Sequence, residues 1–267
     1  MPVSSFKVIS AYMRPLTLKM EILANNLANI NSVGYKKGDL FYEVLQNIQQ
    51  VSGGGDEGGE PGANPSTTST EYVDVSMQEI SDFSQGSIEQ TNNTFDIAID
   101  GEGFFAAKNP VDGKVRYTRA GNFMINAGSS LVTKNGYEVV GDDDGPIYIP
   151  NVHNLKKEDI TVTPTGEIMV EGDPVARLKV VTFETLEDLQ RTGNTFFELA
   201  SAEIEPMEVD IDKVQIRQGF LENSNVNGIS EMIQMIEVSR LFETGQKLLQ
   251  TTDATLNESL SVGNVQP

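Results

Sequence analysis

The chain has 267 residues, enough to bury a core and to divide into more than one part. Its 19 basic and 39 acidic residues leave a net charge of -20, which repels phosphate and excludes a coat on DNA or RNA. It has no cysteine, a single histidine and no apolar run near the roughly 18 residues of a membrane span, so disulfides, thiolate or paired-histidine metal sites and a transmembrane helix are excluded as well.

The opening stretch lacks the unbroken apolar core and small-residue cleavage site of a secretory signal, so any exit from the cytoplasm is expected by another route. What it carries instead is a seam. Phe6, Ile9, Met13, Leu16, Met20, Leu23, Leu27 and Ile30 alternate spacings of 3 and 4, the heptad pattern of a helix that meets another helix. A short helix cannot hold such a seam in water by itself, so a partner is required. Pro15 lies inside the pattern and predicts a kink or a second start. Beside the seam, Ala24 and Ala28 form a small stripe and Asn25 and Asn29 a polar one. Buried amides must find partners, so Asn25, Asn26 and Asn29 are expected to set register between neighbouring subunits. Gly34 fits a helix stop.

Residues 51–71 are rich in Gly, Pro, Ser and Thr and read as a flexible loop. The period then changes to short apolar runs at 95–99, 103–107, 137–140, 147–149, 160–163, 168–170, 178–183 and 196–199, expected as strands. Asn135-Gly136 predicts a tight hairpin turn with both residues at positive φ, and Asp112-Gly113 and Pro164-Thr165-Gly166 predict two more turns. Gly101-Glu102-Gly103-Phe104-Phe105-Ala106 fits a relaxed dinucleotide fingerprint, but no helix opens after it, so it reads as a β-corner. Asp142-Asp143-Asp144 lacks the alternating ligands and closing glutamate of a calcium loop and reads as a solvated turn. His153 sits in a polar loop and reads as a surface residue. No pair of carboxylates is singled out by spacing. Catalytic, cofactor-binding and metal-binding residues are therefore assigned to none, and no cofactor is expected.

From Ile229 to Leu260 there is no proline, and Met235, Phe242, Leu249 and Leu256 recur every 7 residues, with Ile236, Leu241 and Leu248 widening the stripe. The seam positions between them, Val238, Gly245, Thr252 and Ser259, are mostly small and would admit a close second helix. The expected fold is α+β: long terminal helices forming a coiled-coil-type module, with a central, mostly antiparallel β domain. The expected division is 1–50 and 222–267 as the two helical halves, 51–71 as the loop and 72–221 as the β domain.

Three segments carry a family resemblance. Ala24-Asn25-Asn26-Leu27-Ala28-Asn29 with Gly34-Tyr35-Lys36 resembles the N-terminal signature of the flagellar basal-body rod and hook proteins. Ser224-Asn225-Val226-Asn227, residues 231–236 and Arg240-Leu241-Phe242-Glu243 resemble its C-terminal signature. Residues 95–105 and 117–123 are similar to the central motif of the longer members. The resemblance implies a non-enzymatic subunit of the periplasmic rod, with terminal helices in an inner tube and the β domain outside. It implies self-association, contacts with other flagellar rod proteins, and unfolded export through the flagellar type III apparatus without a cleaved signal. It also brings Asn225 and Met232 into the expected assembly interface, beside Leu16, Met20, Leu23, Asn25, Asn26, Leu27, Asn29, Ile30, Met235, Ile236, Phe242, Leu249 and Leu256. Length, the single β domain and residues 174–181 resemble the proximal-rod members more than the distal-rod or hook members. The rival from another class is a cell-wall carbohydrate-binding module or enzyme, which no convergent site supports.

Overall fold

A computed structural model describes residues 2–47, 72–150, 152, 155–156, 159–201, 204–209 and 214–263. The 51–71 stretch, His153 and the side chains of Phe6, Ile9, Leu256 and Ser259 lie outside what is described.

The chain opens with helix α1, Pro2–Ala28, which runs unbroken through Pro15. The expected second start does not occur. The apolar seam keeps its register across the proline, so packing can hold the helix where one backbone bond is missing. Nor is Gly34 the stop. The helix ends at Ala28, where the Asn29 side chain donates to the Asn25 carbonyl at 2.9 Å, and Gly34 lies further on with φ 67°. Beyond it, strand β1 (Gly38–Asn47) pairs antiparallel with β2 (Tyr72–Ser81), so the first strand of this hairpin falls inside the stretch to residue 50 expected as a helical half, and the second opens the expected β domain. The run GDLFYEVLQN, with its aromatic and branched residues, explains the preference for strand.

The middle of the chain continues with β3 (Ile88–Gln90), β4 (Ile97–Asp100), β5 (Phe104–Lys108), β6 (Val115–Thr118), β7 (Met124–Ile125), β8 (Leu131–Val132) and β9 (Glu138–Val139). There follow β10 (Ile160–Val162), β11 (Glu167–Val170), β12 (Asp173–Arg177), β13 (Val180–Thr182), β14 (Leu189–Arg191), β15 (Phe196–Leu199) and β16 (Met207–Glu208). β17 (Gln215–Gln218), β18 (Phe220–Glu222) and helix α2 (Gly228–Gly263) complete the described chain. The largest sheet runs β14-β15-β6-β5-β9-β8-β7, with β13 joining β5 to β16, and β10-β11-β12 form another. β17 returns to β4 and β18 to β3.

Strand β5 explains why the core has two halves. Side chains alternate across a strand, and here both faces are covered. Phe105 enters a cluster with Ile97, Phe123, Leu131 and Ile168, while Phe104 and Ala106 enter another with Phe183, Leu189 and Phe197. Hence Phe104-Phe105-Ala106-Ala107 is an unbroken apolar run, and Gly103, at φ 136°, turns the chain into a strand.

Two expectations change in detail. The Asn135-Gly136 turn is a longer one: the Gly136 amide donates to the Thr133 carbonyl at 2.9 Å and the Thr133 amide to the Tyr137 carbonyl at 2.8 Å. Only Gly136, at φ 82°, is left-handed, as in a type I turn closed by a glycine bulge. Residues 147–149 form a single bridge at Tyr148 instead of a strand, because Pro146 and Pro150 bracket them and have no amide to give a ladder. The acidic run is a turn in which Arg177 faces Asp142 at 3.6 Å and Lys179 pairs with Asp144.

Candidate assembly site

The two chain ends meet. Gly228 at the start of α2 faces Ile30, to which a Cβ would come within 2.4 Å, and Gly245 faces Met13, whose sulfur would lie 2.3 Å away. The two helices thus lie side by side and antiparallel, with glycine where they approach most closely. Leu23 is fully buried, and Leu16, Met20, Leu27, Ile30, Met235, Phe242 and Leu249 are half-buried. Asn227 caps α2, accepting from the Ser230 amide at 3.2 Å.

Between these helices and the β domain runs a strap, residues 34–38. Its centre is Asn26 of α1, which is 0% exposed. Its amide nitrogen donates to the Gly38 carbonyl at 2.9 Å and to Glu231 Oε2 at 3.0 Å, while its oxygen accepts from the Gly38 amide at 2.9 Å and the Tyr35 hydroxyl at 3.1 Å. Every bond an amide can make is made inside one chain. Asn26, expected to set register between copies, sets the register of α1, α2 and the strap. Asn29 is also closed internally, on Asn25 and Ser32, while Asn25 is exposed.

Charges hold the strap from both sides. Lys37 Nζ lies 2.8 Å from Glu231, a fully buried carboxylate in the first turn of α2, and this bond raises the Lys37 pKa. Lys36 points the other way. It is itself fully buried, with Nζ 2.6 Å from Glu222 Oε1 and 2.8 Å from the Ser84 carbonyl. Glu222, at the end of β18, also accepts from the Gly86 amide at 2.9 Å and faces Arg119 at 3.4 Å. Arg119 in turn donates to the Gly101 carbonyl at 2.8 Å and lies over the Phe104 ring. Asn225 accepts from the Lys37 amide at 2.7 Å and donates to the carbonyls of Asp82 and Ser84. Arg191 stacks on Tyr35 and Phe197 and donates to the Lys36 carbonyl at 2.5 Å.

Burial pulls the Lys36 ammonium below its ordinary 10.5, against the opposing pull of Glu222. The unfolded chain therefore binds that proton more readily in the window just below 10.5, and this group makes stability rise with pH there. In Lys36→Met that rising component disappears. Urea unfolding of both proteins from neutral pH to pH ~10 measures the slope, and parallel profiles would refute the assignment.

The apolar face of α2 turned away from α1 is different. Ile229, Met232, Ile233 and Ile236 follow helical spacing and are 71%, 47%, 54% and 53% exposed. So the expected interface residues divide. Met232 and Ile236 are exposed, the described seam residues other than Leu23 are half-buried in the single chain, and Leu256 lies outside the described side chains. Sequence reasoning did not single out Lys36, Lys37, Arg119, Glu222 or Glu231 as a set. Most of them fall inside the three resembling segments, which was the available signal.

A network of mostly buried charges ties two helices to a β domain, with an open apolar helix face beside it. Comparison with known proteins identifies the family. Residues 16–36 match the family described as flagella basal body rod protein, residues 98–170 the flagellar hook protein FlgE/F/G D1 domain, and residues 217–262 the flagellar basal body rod FlgEFG protein C-terminal. The chain is 31% identical to the flagellar basal-body rod protein FlgG of Borreliella burgdorferi, over 89% of this chain and 90% of that protein. It is 30% identical to the rod protein FlgF of Caulobacter vibrioides, over 90% of each, and 29% identical to FlgG of Bacillus subtilis, over 94% and 95%. The chain belongs to the flagellar basal-body rod protein family, a structural family of the basal body and not an enzyme family. No helix among the described residues is long and apolar enough to cross a membrane.

Proposed function

We propose that this chain is a subunit of the proximal rod, FlgF-like, whose copies associate through their terminal helices and carry torque. The observation behind this reading is the exposed row Ile229, Met232, Ile233 and Ile236 on α2. A contiguous apolar face on a chain of net charge -20 is an interaction surface rather than a solvated one. Met232 and Ile236 join Asn25 as the part of the interface that one copy offers another. The remaining seam residues shape the helix pair that presents it, in the manner of a coiled coil. The locked strap then passes load from helices to β domain without a hinge.

The division into 1–50, 51–71, 72–221 and 222–267 is retained as the working description of these parts, with hairpin β1–β2 as an outgrowth of the first. Other rod proteins are the neighbours, the periplasmic rod is the place, and the flagellar type III apparatus is the route. The overall length, one β domain and residues 174–181 support the proximal assignment. The distal rod is the second reading, favoured by the relatives named FlgG.

Ile233→Asp with Ile236→Asp tests the interface. Both positions are exposed, so the monomer's stability should change by no more than about 0.5 kcal/mol per site. Incorporation into rods, followed by sedimentation and electron microscopy, should be lost. Normal incorporation of a variant that folds normally would refute the reading. Immunogold position along isolated basal bodies separates proximal from distal.

A further inference from the structure

The fold carries a second open surface. β2 and β14 border a groove of about 580 Å³ through residues 78–81 and 189–191. It runs into a second hollow of about 530 Å³, since Ser81, Phe83 and Leu186 line both.

Both walls are strand edges. Among the described residues β14 is the last strand of its sheet, and β2 is paired on one side only, with β1. On β14 the Asp188 carbonyl accepts from Ala200 at 2.8 Å and the Thr192 amide donates to Phe196 at 2.8 Å. The alternation of an antiparallel ladder then turns the main-chain groups of Leu189 and Arg191 away from β15; the Leu189 amide is taken by the Leu186 carbonyl, which leaves this edge to the Leu189 carbonyl and to Arg191. The floor is apolar and open: Phe41, Ile80 and Leu186 are 52%, 41% and 38% exposed. The second hollow is acidic. Asp82, Glu102 and Glu184 line it, and none of them makes an ion pair among the described residues. Its one basic residue, Arg119, is already engaged by Gly101 and Glu222.

We propose that this groove binds an extended segment of another protein, with apolar and basic side chains in alternation. Free strand edges supply backbone pairing, and the two kinds of lining select the side chains. A second copy is the poorer occupant, because its charge of -20 meets an acidic lining.

The test is fluorescence anisotropy on the full chain with a labelled peptide of alternating valine and lysine. A valine–glutamate peptide and a valine–lysine peptide N-methylated at alternate amides serve as comparisons. Binding of the first should weaken at least about tenfold with either comparison peptide and with Glu102→Lys/Glu184→Lys. It should change less than about twofold with Glu171→Lys/Asp173→Lys, where β11 turns into β12 and neither residue lines a hollow, and with Ile233→Asp on α2. Equal binding of the acidic peptide, or equal weakening by the Glu171/Asp173 variant, would overturn the proposal. So would self-association of the chain that the peptide blocks, which would give the groove to a second copy.

Discussion

Replacing Glu222 by leucine lowers the unfolding free energy by about 3–5 kcal/mol and the thermal midpoint by on the order of 10 °C. The carboxylate is 1% exposed and faces two buried cations, Lys36 at 2.6 Å and Arg119 at 3.4 Å. Without it, both cations stay in a place from which water is excluded, and the Gly86 amide loses its acceptor. The loss belongs to the uncompensated charges more than to the pair's net attraction. Lys36→Met/Glu222→Leu should therefore cost less than the sum of the single changes, with a coupling of about 1–3 kcal/mol. Urea unfolding of the parent, both single variants and the double variant measures it. Strict additivity would show that the network is not a unit.

Gly34→Ala is the second large effect, with an expected loss of about 2–5 kcal/mol from left-handed backbone and overpacking together. At φ 67° an alanine is strained, and its Cβ would lie 2.3 Å from the Ala120 amide nitrogen and 2.4 Å from the Arg119 carbonyl carbon. Neither is the end of a flexible side chain. The strap would have to lift from the β domain, carrying Tyr35 and Lys36 with it and breaking the bond from the Gly34 amide to the Glu222 carbonyl at 2.8 Å. Gly172 provides the comparison: its φ is 94°, but nothing lies within 4 Å of its Cβ position. Gly172→Ala should cost only the conformational part, about 1–2 kcal/mol. If thermal denaturation gives equal losses at the two glycines, the close approach at Gly34 is refuted.

What could be read in the sequence was whatever repeats locally. The apolar period at each end marks the two helices, and Phe104-Phe105-Ala106-Ala107 marks a strand covered on both faces, because each signal lies within one element. Hairpin β1–β2 was hidden by the long glycine-rich stretch between its strands. The locked strap was hidden more deeply. Lys36 and Glu222 are 186 positions apart and Asn26 and Glu231 are 205 apart, so no spacing rule links them. In a chain with 19 basic and 39 acidic residues, the four buried charges of this network and Lys37 beside them look like any others. Asn26 was noticed for the right reason, that a buried amide needs partners, but given the wrong ones. The partners were its own strap and second helix.

The order of translation gives the strap a temporal meaning. A ribosome releases Asn26, Lys36 and Lys37 long before it reaches Glu222 and Glu231, so a growing chain carries two lysines whose counter-ions have yet to be made. Closure of the strap is therefore a property of finished molecules. A chain terminated before Glu222 lacks both carboxylates and cannot close the strap.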